Sequence, residues 1–469
     1  MTEISKIKWY EFIKGFFISL SITVLYFVFM QYWIGYNYGF FRRIFAVSLL
    51  VWIRPAAEPV YTFLTIFTFI AAIYIYKKNY FQKINAILFL ISVVGLAFCF
   101  DIFLASTDKG FLHAIPHPYI YYTPYEYYSD LPKIKGIRSF LRDYVSMMPN
   151  LSLHANTHPP GGDIFLYLVE RIFGKGALRA SLISIFAGNL SIIPFYLIAR
   201  LFLSPSLSRL SAILWIFTPN IAIYGATCMD AVFTFFLLWP LYFFIKFTIE
   251  NKNLFLLSIM NGVALSLAML VSFSAAFHGL FFIILIGVLF YREVHNSRRV
   301  LLFLIISGLV FSLFYIMLFY STGYNIFACL DQAREKDLIN YGSPFRDWKI
   351  YTLSRTVNFV GFFAFSGFVT IWLWFKYLFK KGLKEKGNII LKYCVYAVII
   401  TLLEMNFGGL YFFETARIWM FLSPFIILPV VELIDYFLKT CPKIYSDFQI
   451  LSLTFIQTLI VEIIFYTLW

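Results

Sequence analysis

A chain of 469 residues that is 61% hydrophobic, 22% aromatic and only 13% charged, with a mean hydropathy of +0.79, lies outside the range of soluble domains and is read as a polytopic membrane protein. The net charge of +14 would suit nucleic acid, but the basic residues fall in short loops between apolar runs, where they orient a protein in a bilayer, so no nucleic-acid partner is expected. The five cysteines show no metal or redox spacing: Cys99, Cys228 and Cys394 lie in apolar runs, and Cys329 and Cys441 stand alone in loops.

The first apolar run, residues 15–34, follows Lys6, Lys8 and Lys14; it is too long for a signal-peptide core and lacks a small-residue cleavage site, so it is read as a retained anchor. A short apolar piece at 44–53 has the length of a re-entrant or interfacial segment, and spans follow at 59–76 and 84–105. Hydrophobicity then stops over residues 106–176, the longest polar region of the chain. Further spans are predicted at 177–199, 210–226, 231–247, 254–271, 275–291, 300–320, 355–377, 389–403, 418–437 and 450–468, about thirteen in all in a single transmembrane domain, 1–469.

Orientation follows from the basic loops. Lys77, Lys78 and Lys83, then Arg200 and Arg209, Lys246 and Lys252, Arg292, Arg298 and Arg299, Lys376, Lys380, Lys381, Lys384 and Lys386, and Lys439 and Lys443 fall on one side, which the positive-inside rule makes cytoplasmic. The long loop 106–176, a second loop at 321–354 and the turn 404–414 then face outward, with Arg42, Arg43 and Arg54 as exceptions near the start. The expected address is the cell membrane, with the functional face extracytoplasmic.

Within the long loop, Ile137, Phe140, Leu141, Tyr144, Val145 and Met148 recur at helical spacing while Arg138, Ser139, Arg142 and Asp143 take the other face, the pattern of an amphipathic helix on a membrane surface. A second short helix, 163–173, is predicted after Pro159-Pro160-Gly161-Gly162, with Asp163 on its positive N-terminal end and Gly174 as its stop. The stretch from His154 to Asp163 reads as a turn held in one shape by two prolines and two glycines. The tyrosines at 119, 121, 122, 125, 127 and 128 read as an interfacial belt or, functionally, as a wall of flat rings for a sugar. The mixed charges Asp331, Arg334, Glu335, Lys336 and Asp337 in the second loop read as a solvated surface helix.

Asp101, Asp230, Glu404 and Glu414 lie near or within spans, toward the outer edge; ionisable groups at such depth are costly and usually face a cavity. A proton-coupled transporter more typically places its acids near the midplane.

Four segments, Pro124-Tyr-Glu-Tyr-Tyr-Ser-Asp-Leu-Pro132, Thr157-His-Pro-Pro-Gly161, Met229-Asp-Ala-Val-Phe233 and Glu414-Thr-Ala-Arg-Ile-Trp419 followed by Ser423-Pro424, resemble in order a family of bacterial proteins in the GT-C superfamily of integral-membrane glycosyltransferases. The resemblance implies an all-α bundle with a long first outer loop carrying surface helices. It also implies transfer of a hexosyl or pentosyl group from a polyprenyl-phosphate donor to a glycan, lipid or protein acceptor, usually with inversion, with an acid of the first outer loop as general base. That acid commonly lies close behind a transmembrane helix. Here Asp108 holds that position, whereas the motif acid, Glu126, lies further along, with Asp130 four residues beyond it.

Elementary chemistry agrees with this class. A sugar on a lipid phosphate already carries a good leaving group, so the protein must chiefly remove a proton from the acceptor hydroxyl and hold the phosphate's charge. No glycine-rich nucleotide-binding pattern is present, as suits a lipid-carried donor. His158 reads either as a partner of substrate or as a helix cap, and Asp230 as an orienting acid or a helix-start acid. His154 and His158 are four apart, but the prolines exclude a continuous helix and no third ligand is evident, so zinc is not predicted and a divalent-metal requirement stays open. His278 reads as a satisfied interior histidine. Arg417, beside Glu414 and Trp419, has the planar donors to meet a lipid phosphate, or else anchors its helix at the interface. The chief alternative function is a transporter or flippase for lipid-linked sugars; a non-catalytic assembly scaffold is a third.

Overall fold

The structure, a computed structural model, describes residues 3–35, 51–53, 55–292, 297–379, 388–411, 413–440 and 447–467. Most of the 44–53 piece, Arg42, Arg43, Arg54, Lys380, Lys381, Lys384, Lys386, Cys441 and Lys443 lie outside them. The architecture is helical; the strands among the described residues are Val51–Ile53 and Phe465–Thr467, which pair antiparallel.

Among the described residues, ten helices are long and apolar enough to cross a membrane, and a bent pair makes an eleventh. The two other predicted spans differ for readable reasons. Residues 15–34 lie inside one continuous helix, Glu3–Gly35. The segment predicted at 210–226 is instead the 13-residue helix Pro205–Phe217, which stops at Thr218 and resumes as Pro219–Tyr224. Proline has no N–H to donate and forces the residue before it toward extended backbone, as Thr218 shows at φ −69°, ψ 128°. Pro194 similarly accounts for the interruption between Ala177–Asn189 and Ile192–Phe202, because its ring opposes the carbonyl of Leu190.

The chain divides into two compact units: Met1–Ala114, Phe195–Ala226 and Asp347–Trp469 form the first, and Ile115–Pro194 and Thr227–Arg346 the second. The first has an aromatic core. Phe455 stacks on Phe69 at 4.0 Å between ring centres, and Phe217 meets Phe69 and Phe100 edge-on at 5.1 and 4.9 Å. The same unit holds a helix broken by 105°, Trp348–Phe365 followed by Phe368–Phe379. Gly367 turns the corner at φ 98°, and the Gln457 side chain takes both backbone groups freed there, accepting from the Phe368 amide at 2.7 Å and donating to the Ala364 carbonyl at 2.7 Å. A break at membrane depth needs such partners, since lipid offers none.

The second unit packs on small residues, as helices do in lipid where hydrophobicity gives no drive for association. Helix Leu254–Val271 lies against Ser297–Thr322 so closely that a Cβ on Gly262 would stand 2.7 Å from the Ser307 carbonyl. Ser307 and Tyr315 donate back across this seam to the carbonyls of Ser258 and Ser266 at 3.1 and 3.0 Å. His278 is buried in this unit, as an interior histidine was expected to be, with its ring nitrogens 2.7 and 3.2 Å from the carbonyls of Leu237 and Ala275, of which a neutral ring donates to one.

Candidate functional site

The polar stretch after helix Ala86–Lys109 folds into short elements, among them the 3-10 turn Tyr127–Lys133, the helices Ile137–Met147 and Gly161–Phe173, and a 3-10 turn at Ala155–Thr157. The two predicted surface helices thus form within one or two residues of the expected limits. Tyr144 explains why the first of them is fixed: its buried hydroxyl donates to the carbonyls of Ala155 and His158 at 2.8 and 2.9 Å, hanging the histidine loop on the helix. Burial drives that phenol well above its ordinary pKa.

The motif segment 124–132 is zipped to residues 152–154, just ahead of the second motif. Leu153 and His154 donate their amides to the carbonyls of Pro124 and Tyr125 at 3.0 and 3.1 Å. This register sets Glu126 opposite His154, with the imidazole Nδ1 3.2 Å from the carboxylate Oε1. Glu126 is 1% exposed at its side chain and His154 15%, so the carboxylate lies behind the ring. Asp130 closes the other end of the zipper: one oxygen takes Lys133 at 2.7 Å and the other the Ser152 amide at 2.8 Å, while Lys133 also donates to the Asn150 carbonyl. Of the two motif acids, Asp130 is committed to holding the loop, whereas Glu126 stands within ion-pair distance of an imidazole with its Oε1 making no aligned hydrogen bond among the described residues.

His158 turns its Nδ1 to the His154 carbonyl at 2.9 Å, and its ring packs near Tyr127 and Phe233. The Met229-to-Phe233 motif meets the loop through Phe233, which also lies 6.0 Å from the Tyr127 ring, and through Met229, whose Sδ accepts from the Tyr119 hydroxyl at 3.5 Å. Asp230 stands at the start of helix Met229–Glu250, its carboxylate 3.6 Å from the Cys228 thiol. The tyrosine run divides. Tyr119, hydrogen-bonded to Ser184 at 2.9 Å and stacked on Tyr128, and Tyr127 are buried, whereas Tyr121 and Tyr125 are exposed. The ring wall expected for a sugar is therefore split, with Tyr119 and Tyr127 in the core and Tyr122 and Tyr128 half-buried.

Sequence reasoning underweighted Asp163. Its carboxylate is completely buried and, among the described residues, neither oxygen has a hydrogen-bond partner. Burial, and then the nearby charge of Asp130, hold its pKa well above the usual carboxylate range against a smaller opposing pull from Lys133. The preceding glycines serve close approach: a Cβ on Gly161 would stand 2.4 Å from the Leu270 carbonyl, and one on Gly162 2.9 Å from the Tyr127 ring. The available signal was the Gly-Gly-Asp sequence itself, which reads as flexibility until the neighbours are known.

The remaining predicted residues lie in the first unit. Asp108, at the end of its helix, is 3.5 Å from Lys109. Glu414 and Arg417 form an ion pair, with Arg417 buried, on the short helix Thr415–Ile418 and its N-cap. Phe413 and Glu414 are consecutive non-glycine residues at φ 72° and 61°. Such backbone costs about 1–3 kcal/mol per residue and persists only where surroundings over-determine it. Asn220 donates to Ser423 at 3.1 Å, so the Ser-Pro motif also has a buried partner. Among the described residues no group of three or more His, Cys, Asp or Glu side chains is arranged to hold a metal ion.

Residues 157–320 match the dolichyl-phosphate-mannose-protein mannosyltransferase family. The fold is similar to that of the Archaeoglobus fulgidus oligosaccharyltransferase in its apo form, with a TM-score of 0.51, 11% identity, and coverage of 82% of this chain and 56% of that one. The same enzyme in complex with Zn and sulfate aligns with a TM-score of 0.50 at 13% identity, over 79% and 53% of the two chains. ArnT from Cupriavidus metallidurans in the apo state aligns at 14% identity over 64% and 54%, with a TM-score of 0.41. The chain thus spans about half the length of these structures. No curated protein sequence matches it. The resemblance to the GT-C superfamily of membrane glycosyltransferases, first drawn from four sequence motifs, is borne out, as is the polytopic all-helical fold.

Proposed function

We propose that this protein transfers a sugar from a polyprenyl-phosphate donor to a hydroxyl of a glycan, lipid or protein acceptor at the extracytoplasmic face of the cell membrane. The observation that carries the reading is the pair of Glu126 and His154 in the loop, an acid buried behind an imidazole at 3.2 Å, immediately before the segment that matches the mannosyltransferase family. The acceptor oxygen forms a bond to the anomeric carbon as the bond from that carbon to the phosphate oxygen breaks. The phosphate leaves with the electron pair, and attack on the face of the anomeric carbon opposite the phosphate gives inversion. The acceptor's proton passes to the pair: His154 presents a ring to the acceptor, and Glu126 behind it orients the ring and stabilises the imidazolium that forms. Independently of that pair, within the first unit, Arg417 is retained as a partner for a lipid phosphate, its planar donors suiting an anionic oxygen once its bond to Glu414 is shared or exchanged. Lipids and the lipid-linked sugar are thus the expected partners.

Glu126→Gln preserves size and hydrogen bonding while removing the charge. It should fold, bind donor and lose about 10²- to 10⁴-fold in transfer rate, because the His154 imidazolium then forms without the charge that stabilises it and general-base assistance fails. His154→Gln should fall in the same range and the double variant no lower, since the two act as a unit. Normal transfer by Glu126→Gln would remove the pair from the chemistry and direct attention to Asp108.

A further inference from the structure

The strained turn ahead of Arg417 is gripped by one buried side chain. Asn358, on helix Trp348–Phe365, is fully buried. Its Nδ2 donates to Asn406 Oδ1 at 3.0 Å and to the Tyr411 carbonyl at 3.1 Å, and its Oδ1 accepts from the Phe413 amide at 3.0 Å. Its own carbonyl accepts from Thr415 Oγ1 at 2.7 Å. Arg355, one turn earlier, donates to the Asn406 carbonyl and, at 2.7 Å, to the Tyr411 carbonyl, and Asn406 donates back to the Arg355 carbonyl at 2.8 Å.

These bonds bracket Phe413 and Glu414, the two residues forced into the left-handed region. Arg417 donates its amide to the Glu414 carbonyl at 3.1 Å, and its guanidinium pairs with the Glu414 carboxylate. The direction in which Arg417 presents its donors is therefore fixed by the dihedral angles at 413 and 414. Those angles are in turn fixed by Asn358.

We propose that Asn358 is a positioning residue: it holds the Phe413–Glu414 turn in its strained form so that the Arg417 guanidinium is set to receive the phosphate of a polyprenyl-phosphate lipid. This rests on the reading of Arg417 as the phosphate partner. A side chain that only stabilised the fold would need no left-handed non-glycine pair at its end; an ordinary glycine turn would satisfy the same carbonyls without strain.

The test is a binding cycle on the full chain in detergent with undecaprenyl phosphate as probe and undecaprenol as the uncharged control. Arg417→Ala should weaken binding of the phosphate about 10-fold or more, the worth of a charge-assisted bond. Asn358→Ala should weaken it by roughly 3- to 10-fold, less than a full charge-assisted bond because the arginine remains. In the Arg417→Ala background, Asn358→Ala should add nothing. A change of folding would show in undecaprenol binding and the unfolding temperature. Should Asn358→Ala fail to fold, the isosteric Thr415→Val, which removes the bond to the Asn358 carbonyl, carries the same expectation.

Unchanged binding in Arg417→Ala defeats the phosphate reading itself. A loss in Arg417→Ala with none in Asn358→Ala, or two losses that multiply, leaves that reading standing and overturns the positioning role. If phosphatidylglycerol displaces the probe at equal concentration, the turn serves a bilayer headgroup and the assignment to a carrier lipid falls.

Discussion

Asp163 carries a carboxylate into a place where neither oxygen meets a donor among the described residues, and its pKa is raised well above the ordinary range by burial. An acid whose folded pKa is raised takes up protons on folding, so stability is lost as pH climbs from the unfolded value of about 3.9 toward the folded one. Asp163→Asn removes that cost and should unfold at a higher temperature than the unmodified protein at pH 7. The difference should narrow as pH approaches 4, where both forms are neutral. Unfolding temperatures of the two proteins at pH 7 and pH 4.5 check this; a variant less stable at pH 7 would mean that the ionised carboxylate has a stabilising role. At this scale the sequence singled out Glu126 and His154 as separate candidates, but their approach to 3.2 Å is decided by tertiary packing. Asp163 occupies a helix start in either reading, but only its neighbours determine that it is sealed. Asp130 has a lysine partner three residues away and an amide partner, Ser152, twenty-two residues away, and no periodicity reveals the second.

Helices and their breaks show the same division. The amphipathic Ile137–Met147 was readable because its apolar residues keep a helical period, and Gly161–Phe173 because proline precedes it and glycine ends it. The break at Thr218 had its signal in Pro219, but that at Ser366 had none, since the surrounding residues stay apolar and the partner of the freed backbone groups, Gln457, comes from distant sequence. Glycine placement gives a test at this level. Gly161→Ala must push its new methyl against the Leu270 carbonyl, and a clash with backbone in a packed site typically costs about 1–3 kcal/mol. Gly95, within helix Ala86–Lys109, has nothing within 4 Å of where a Cβ would stand, so Gly95→Ala should be neutral or stabilise by about 0.4–1 kcal/mol. Thermal unfolding of the two variants should separate them in opposite directions; equal shifts would contradict the close approach of the Gly161 backbone.

For the whole molecule, composition alone settled the class: a chain with this much apolar sequence and so few charges must meet lipid. The likeness to GT-C proteins was legible because the motifs keep their order along most of the chain. The span count was less so, because length and hydropathy do not distinguish one bent membrane segment from two short helices. The central claim is that the protein consumes a lipid-linked sugar rather than moving it. The most direct measurement follows undecaprenyl-phosphate-linked hexoses and pentoses, presented as a panel with a cell-envelope acceptor fraction, to the purified chain in detergent, where no membrane gradient exists. The account predicts release of undecaprenyl phosphate from at least one donor with the sugar appearing on an acceptor, and a loss of about 10²- to 10⁴-fold in Glu126→Gln. No donor consumed in detergent, together with donor crossing between leaflets of closed vesicles that contain the protein, would contradict it and establish the flippase in its place.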